Sequence, residues 1–487
     1  MTWRGFRVLL ITLFLIALTC KACLVKDVPP KKKTFTQEQS QLTTIKYPSP
    51  KNITIKGTDY LESQAPIGTF GGELVSSTIG EGPKTFNPFN CKDNISALMS
   101  GIMYDGLLSS DPMTGQPTPK LAKSFSISPD GTTYTIKLRH GIKWSDGKPI
   151  TADDVVFTWN DIIFAGLGDT STRDSIVIDN KLPTVRKIDN YTVEFITPKP
   201  FAPFVRMLST PIAPKHIFMP AVKKGNTYFD SFLSTNTKPK DFVVSGAFKL
   251  KEYVPAQRVV FERNPNYYEI NTKQQKLPYL DKLVYLIVGD LNNEVLKFEA
   301  KELDVISLQG SKVARYKSLE PHSDFKLYNL GPDTGTMYLS MNLNNRKDNK
   351  GKYYVNTDKQ TWFQDLNFRT AVDYAIDRKN MVLNIANGIG APLFTPESLN
   401  SIYLNKNLKP YDKNLDKSKE LLKKSGFYLD KKGKLFDKHG HRVEFDLYTN
   451  AGNTEREAIG VMVKQDLEDL GMKVNFKPIE FNSLVNK

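Results

Sequence analysis

The residues that could do chemistry in this chain are few and scattered. Its five histidines are His140, His216, His322, His439 and His441. Only the last two lie close together in sequence. A lysine-rich hairpin is predicted around them, so this pair indicates a solvated turn rather than a metal site.

Two adjacent carboxylates, Asp153 and Asp154, could in principle act as an acid–base pair. They fall in the first turn of a predicted helix, where capping and the helix dipole account for them. The sequence has no Gly-x-Ser-x-Gly, no His-Glu-x-x-His and no glycine-rich phosphate loop. We therefore expect no catalytic residue, no metal and no cofactor, which disfavours an enzyme.

The charge of the chain first suggests nucleic acid as a partner, because the formal net charge is +15. Two segments supply most of that charge. Residues 1–68 hold ten Lys and Arg against four acids, and residues 401–440 hold eleven Lys against five acids. Neither segment has an aromatic platform or a phosphate loop, so both are interpreted as solvated faces and no nucleic acid is expected.

The N-terminus has the layout of a secretory signal, with Arg4 and Arg7 before an apolar run over residues 8–18. That run is too short to span a bilayer core. Cys20 and Cys23 follow it, and a cysteine at this place is where bacterial lipoproteins are cleaved and acylated. Their Cys-x-x-Cys spacing is weak evidence for a redox or zinc site, because no second ligand pair follows. We expect a signal peptide over residues 1–19 and a lipid on Cys20, on Cys23 or on neither.

Cys91 is the third and last cysteine of the sequence. It has no obvious disulfide partner, so a free, partly buried thiol is expected.

The stretch from Leu121 to Ile163 forms one continuous supersecondary unit in the sequence. Tyr134, Ile136 and Leu138 alternate with polar residues and predict a half-buried strand. A Ser-Asp-Gly turn follows Trp144. Thr151 then caps a predicted helix, with Asp154 at the capping-box position.

This unit closely resembles the recurrent core of the family 5 solute-binding proteins of bacterial ABC importers, the oligopeptide, dipeptide and nickel group. The resemblance runs from about Thr69 to the C-terminus. It is carried further by Phe86-Asn87-Pro88-Phe89, Tyr104-Asp105-Gly106-Leu107-Leu108, Ser245 to Leu250, Glu262 to Tyr268, Phe368 to Arg378 and Gly388 to Pro392.

The resemblance implies an α/β, two-lobed fold of the periplasmic-binding-protein type (type II, cluster C), with an extra subdomain in lobe I and an incomplete C-terminal part. A Lys- and Pro-rich tether would span residues 20–68. Lobe I would comprise residues 69–104 and 215–333, the subdomain residues 105–214, and lobe II residues 334–487. A strand is predicted near Met337–Asn342, and helices on the repeats at Phe368 to Ile376 and Ile459 to Leu470.

The family implies a binding function without chemistry. The chain would be an exported, monomeric component that binds oligopeptides in an interlobe cleft and delivers them to the transmembrane permease of an ABC importer. The lobe I loop with Asn90, Lys92, Asp93 and Asn94 would line the cleft, and Phe481 would wall it from lobe II.

The sequence ends before the family's amine-binding acid and before its return to lobe I, so we expect a truncated or split chain with a sheet edge left unpaired. Two alternatives stay open. One is a remnant with little ligand affinity. The other is a nickel, haem or other small-solute binder of the same fold.

Overall fold

The computed structural model describes residues 49–111, 115–331, 335–399, 401, 403–405, 407–408 and 411–485. Its strands are β1 Lys51–Ile55, β2 Thr58–Glu62, β3 Glu73–Ile79, β4 Leu108–Ser110, β5 Pro117–Pro119, β6 Ala122–Ile127, β7 Thr133–Leu138, β8 Thr184–Asp189, β9 Thr192–Ile196, β10 Phe248–Val254, β11 Arg258–Arg263, β12 Glu269–Ile270, β13 Lys282–Val288, β14 Tyr428–Leu429, β15 Leu435–Phe436, β16 Glu444–Asn450 and β17 Lys473–Ile479.

The α-helices are α1 Asn94–Met103, α2 Ala152–Phe157, α3 Ser171–Ser175, α4 Phe204–Met207, α5 Lys215–Lys223, α6 Asn226–Ser231, α7 Leu291–Glu299, α8 Gly310–Leu319, α9 Thr357–Gln364, α10 Leu366–Ala375, α11 Arg378–Ile385, α12 Leu415–Lys424, α13 Thr454–Glu468 and α14 Phe481–Val485. A π-helical segment, Thr158–Phe164, continues α2, and 3-10 turns cover Pro239–Asp241 and Glu320–His322.

Two four-stranded sheets form the first part of the chain. One has the order β10-β11-β13-β3, in which β13 and β3 run parallel and the other pairs are antiparallel. The other is antiparallel with the order β6-β7-β9-β8. One continuous core, from Leu61 to Tyr268, underlies both sheets, with Trp144 and Trp159 fully buried in it.

A second, separate core lies in the later part of the chain, from Trp362 to Val474. Helices α10 and α12 pack together, and α13 packs on the parallel pair β16-β17. Phe368, Val372 and Ala375 of α10 are buried, as their helical spacing predicts. Two cores in a mixed α/β chain agree with the predicted two-lobed class, while the predicted domain boundaries remain predictions.

The strand, turn and helix predicted from the signature are present. Tyr134, Ile136 and Leu138 of β7 point inward, and Asp154 accepts a hydrogen bond from the Thr151 N–H at 3.0 Å at the start of α2. The Asp154 carboxylate also accepts from the Lys215 N–H at 2.9 Å. It therefore joins the start of α2 to the start of α5.

Two expectations about elements need correction. The tether was predicted to reach residue 68, but β1 and β2 form a hairpin that pairs with β12. Asp59 holds the hairpin in place, because its carboxylate accepts from Lys123 Nζ at 2.9 Å and from the His140 N–H at 3.1 Å. The predicted strand at Met337–Asn342 is wrong as well, because these residues join no described sheet. Residues 1–48, with the predicted signal and most of the tether, lie outside the described residues.

Among the residues that the structure describes, no helix is both long enough and apolar enough to cross a membrane.

Candidate ligand cleft

A wide cleft separates the two cores and encloses about 5070 Å³. Its first wall is built by β3, α7 and α8. Its second wall is built by β16, the start of α13 and the loop that follows α11. The cleft is several times larger than the roughly 300–1,000 Å³ of a typical small-molecule pocket. The cleft therefore has room for a ligand larger than a single small molecule.

The first wall combines an aromatic cluster with a carboxylate. The rings of Phe298, Tyr316 and Phe325 lie 5.6–6.3 Å apart, and the Tyr316 hydroxyl donates to Glu299 Oε1 at 2.8 Å. Next to this cluster, the Ser77 hydroxyl on β3 donates to Oε1 of Glu294 on α7 at 2.5 Å. Burial raises the pKa of Glu294, and the hydrogen bond from Ser77 partly offsets that effect.

The second wall exposes part of the later core to the cleft, including Phe445, Leu447 and Ile459. Asp446 lies between these apolar positions on β16. Its carboxylate accepts from the Tyr448 hydroxyl at 2.7 Å and pairs with Lys477 at 2.9 Å. These partners lower the pKa of Asp446 to about 2. The second wall therefore combines apolar side chains with an ionised carboxylate, that of Asp446.

The two parts of the molecule touch at Gly452, just before α13, and at Gly289 and Asp290, just before α7. A Cβ on Gly452 would lie 3.0 Å from the Gly289 carbonyl oxygen and 3.7 Å from Asp290 Cβ. Gly452 also has a φ of +83°, which disfavours other residues. The starts of α7 and α13 therefore meet at one end of the cleft.

The predicted loop residues occupy different environments, and their assignment to the ligand remains a prediction. Asn94 borders the cleft, and Lys92 is exposed. Asp93 caps α1 by accepting from the Ser96 N–H at 2.9 Å. The Asn90 amide donates to the carbonyls of Phe229 at 3.0 Å and Asp230 at 3.1 Å, so its side chain supports the loop.

Phe481 begins α14 and lies beneath Lys84, whose Nζ is 5.5 Å from the ring centroid. This cation–π contact joins the later part of the chain to the earlier part. Phe481 does not border the described cleft, and its role as a cleft wall also remains a prediction.

The cysteines and histidines are placed as follows. Cys20 and Cys23 lie outside the described residues. Cys91 is free and half-buried, and burial raises the pKa of its thiol. His439 and His441 lie in the turn after β15, and no described group of residues has the composition of a metal site.

Two carboxylates that border the cleft, Glu294 and Glu455, are not among the residues predicted from the sequence. Each looks like an ordinary acid in the first turn of a helix. Glu294 is buried where α7 packs on β3, and its partner Ser77 lies 217 residues away in sequence, so no local pattern identifies it.

A two-lobed α/β molecule around a cleft of this kind defines a solute-binding protein. The chain belongs to family 5 of that class, because the model for "Bacterial extracellular solute-binding proteins, family 5 Middle" matches residues 116–487. This confirms both the family and the fold class predicted from the sequence.

Two relatives support the same family assignment. A probable ABC transporter-binding protein of Deinococcus radiodurans is 31% identical over 416 residues, which cover 82% of this chain and 68% of the relative. The oligopeptide-binding protein AppA of Bacillus subtilis is 28% identical over 421 residues, covering 86% and 71%. These relatives are binding proteins and not enzymes.

Solved structures have the same fold. Bacillus subtilis AppA in complex with a nonapeptide matches with a TM-score of 0.69 over 86% of this chain and 77% of AppA, at 28% identity. The periplasmic binding protein MelB of Agrobacterium fabrum, in complex with stachyose, matches with a TM-score of 0.71 over 88% and 68% of the two chains. Its identity of 24% shows the fold alone.

Proposed function

We propose that this protein binds oligopeptides in the cleft between its two lobes and delivers them to the permease of an ABC importer. The observation that carries the proposal is the cleft of about 5070 Å³, which leaves room for a peptide of several residues. Free backbone in an extended ligand can pair with strand edges, and side chains can occupy the apolar part of the second wall. The similarity to AppA, which binds a nonapeptide, supports the same ligand class.

Thermal unfolding of the full chain tests the ligand class. A ligand that binds only the folded state raises the melting temperature in proportion to the logarithm of its concentration. We expect pooled peptides of four to nine residues to raise it, and stachyose and Ni²⁺ to leave it unchanged. A rise with stachyose or Ni²⁺ alone would contradict the proposal, and no rise with any of them would favour a remnant without affinity.

The delivery step requires a permease partner. Uptake of a labelled peptide into cells that carry the cognate permease should fall when the gene for this protein is deleted, and should return when it is restored. Uptake that is unaffected by the deletion would contradict a role in delivery.

We also infer that the protein acts outside the cytoplasm as a monomer, held at the membrane by a lipid on Cys20 or Cys23. The apolar run before these cysteines and the extracellular character of the family support this proposal. Mass spectrometry of the mature N-terminus would identify the acylated cysteine. A mature chain that begins elsewhere and lacks a lipid would contradict the anchor.

A further inference from the structure

We propose that the lysine-rich hairpin formed by β14 and β15 docks on the headgroups of an anionic phospholipid bilayer. The hairpin follows α12 directly in the chain and borders no part of the cleft. This inference does not depend on the proposed peptide-binding function. It assigns a partner to a separate, strongly charged surface.

Pairing and burial determine which side of the hairpin faces outward. Tyr428 lies opposite Phe436, and Leu429 lies opposite Leu435. Successive residues of a strand point to opposite sides of a sheet. Leu435 is 2% exposed, and a Cβ on Gly471 would lie 2.7 Å from Leu429 Cδ2, so the two leucines face the protein. Tyr428 and Phe436 therefore lie on the outward side.

Lysines extend this outward side at both ends. Lys434 and Lys438 lie two residues before and two residues after Phe436, so they share its side of the strand. Both lysines are exposed, whereas the intervening Leu435 and Asp437 are buried. The four outward residues form a surface that we call the hairpin face: Tyr428, Lys434, Phe436 and Lys438.

Four further lysines, all exposed, border the hairpin face: Lys423, Lys424, Lys431 and Lys432. The last two lie in the turn, next to Lys434. The first two end α12 and lie near the other end of the face, because a Cβ on Gly426 would lie 3.1 Å from Lys438 Cβ. Positive charge therefore surrounds the aromatic pair.

Two acids lie among the six lysines of residues 423–438, and both are engaged by other groups. Asp437 is buried and accepts from Trp362 Nε1 at 2.9 Å. Asp430 accepts from the backbone N–H groups of Lys432 at 2.9 Å and Lys434 at 2.7 Å, which fixes the turn. None of the six lysines forms an ion pair with a described residue, so their charges are available to a partner.

The side chains of this surface suit a bilayer better than a nucleic acid. Lysine is a point charge and lacks the bidentate geometry with which arginine recognises phosphates and bases. Arg442, which follows the hairpin, instead donates to the carbonyl oxygens of Leu435 and Gly471. Tyr428 is 50% exposed and stacks on Phe436, with ring centroids 5.9 Å apart. Tyrosine among lysines is typical of a surface at the membrane interface.

The proposed location of the protein brings a membrane within reach of this surface. The family is extracellular, and the proposed lipid on Cys20 or Cys23 would hold the chain on a bilayer. A polybasic surface adds to such an anchor, because each lysine near an anionic membrane strengthens binding by about fivefold. The hairpin face would also fix how the protein is oriented on the bilayer.

The test uses the full chain with Cys20→Ser and Cys23→Ser, so that no acyl chain contributes to binding. Sedimentation with vesicles of phosphatidylcholine, or of an equal mixture with phosphatidylglycerol, measures the partition coefficient. We expect tighter binding to the mixed vesicles, and weaker binding at high salt. Replacing three lysines together, by Lys431→Gln, Lys432→Gln and Lys434→Gln, should weaken binding to the mixed vesicles at least about tenfold.

The matched control replaces three exposed lysines of the earlier part of the chain: Lys148→Gln, Lys240→Gln and Lys273→Gln. It should weaken binding by less than about threefold. Both triple variants have the same net charge and the same N-terminal segment, so a difference between them reports on where the lysines lie. Because Asp430 holds the turn through backbone N–H groups, the hairpin variant should stay folded, which circular dichroism melting would show.

A second variant, Lys423→Gln with Lys438→Gln, changes the other end of the face and should also weaken binding to the mixed vesicles. Unchanged binding of both hairpin variants, or equal losses for the hairpin and control variants, would overturn the docking surface. Tighter binding of the chain to duplex DNA than to the mixed vesicles, lost in the same hairpin variants, would overturn the bilayer as its partner.

Discussion

The negative charge of a single residue, Asp446, contributes to the stability of the part of the molecule that contains β16 and β17. Its carboxylate on β16 accepts from Tyr448 and pairs with Lys477 on β17, which lowers its pKa from 3.8 to about 2. A folded-state pKa below the unfolded value stabilises the fold above pH 4, and this contribution disappears as the pH falls through 2. The pKa difference corresponds to at most roughly 2 kcal/mol, which solvent screening of a 29% exposed carboxylate reduces to roughly 1 kcal/mol.

We therefore expect Asp446→Asn to lower the free energy of unfolding by roughly 1 kcal/mol at pH 7, and to lower it progressively less between pH 4 and pH 2. Urea unfolding at a series of pH values would measure this. Asp230→Asn, at an exposed residue without a side-chain hydrogen bond in the described structure, is the control and should have little effect at any pH. A difference that stays constant from pH 7 to pH 2 would show that the charge of Asp446 contributes nothing.

At the scale of the elements, the start of α2 depends on one of two adjacent carboxylates. Asp154 is buried and accepts from the N–H groups of Thr151 and Lys215, whereas Asp153 is exposed and pairs with Lys187. Asp154→Ala leaves buried donors without partners and should cost roughly 2–4 kcal/mol, since each orphaned donor costs about 1–3 kcal/mol. Asp153→Ala should cost less than about 1 kcal/mol, as surface ion pairs do.

Chemical denaturation of both variants would measure this contrast. Equal losses for the two would mean that the helix dipole, which acts on both residues, matters more than the buried hydrogen bonds. The sequence predicts the capping role of Asp154 because a capping box is local. It gives no sign of the bond to Lys215, which lies 61 residues away.

The two elements that are predicted wrongly, the tether and the strand, show the same limit of local sequence patterns. The β1-β2 hairpin lies in a Lys- and Pro-rich segment that looks like a tether, and it is fixed by distant partners of Asp59 such as Lys123. Met337–Asn342 alternates like a strand but pairs with no described strand. Local periodicity predicts which face a segment would present, whereas a strand forms only where a second strand is available.

For the whole molecule, the fold class could be predicted because the signature and the later helices carry strong local patterns. The cleft could not, since its first wall and its second wall come from parts of the chain that are far apart in sequence and meet only through the relative placement of the two lobes. That placement can be tested by cross-linking. Because the built Cβ of Gly452 lies 3.7 Å from Asp290 Cβ, a pair of cysteines at these positions meets the roughly 3.5–4.5 Å separation of a disulfide.

We expect the double variant Gly452→Cys, Asp290→Cys to form this disulfide on mild oxidation of the full chain, and its melting temperature to exceed that of the reduced form because a long loop is closed. Peptide mapping by mass spectrometry would locate the bond and distinguish it from bonds to Cys91. Pairing Gly452→Cys with Leu296→Cys is the control. Leu296 lies about 9 Å further along α7, at 1.5 Å per residue, which is beyond disulfide reach. Failure of the first pair to cross-link, or equal cross-linking of both pairs, would contradict the contact that brings the two helix starts to one end of the cleft.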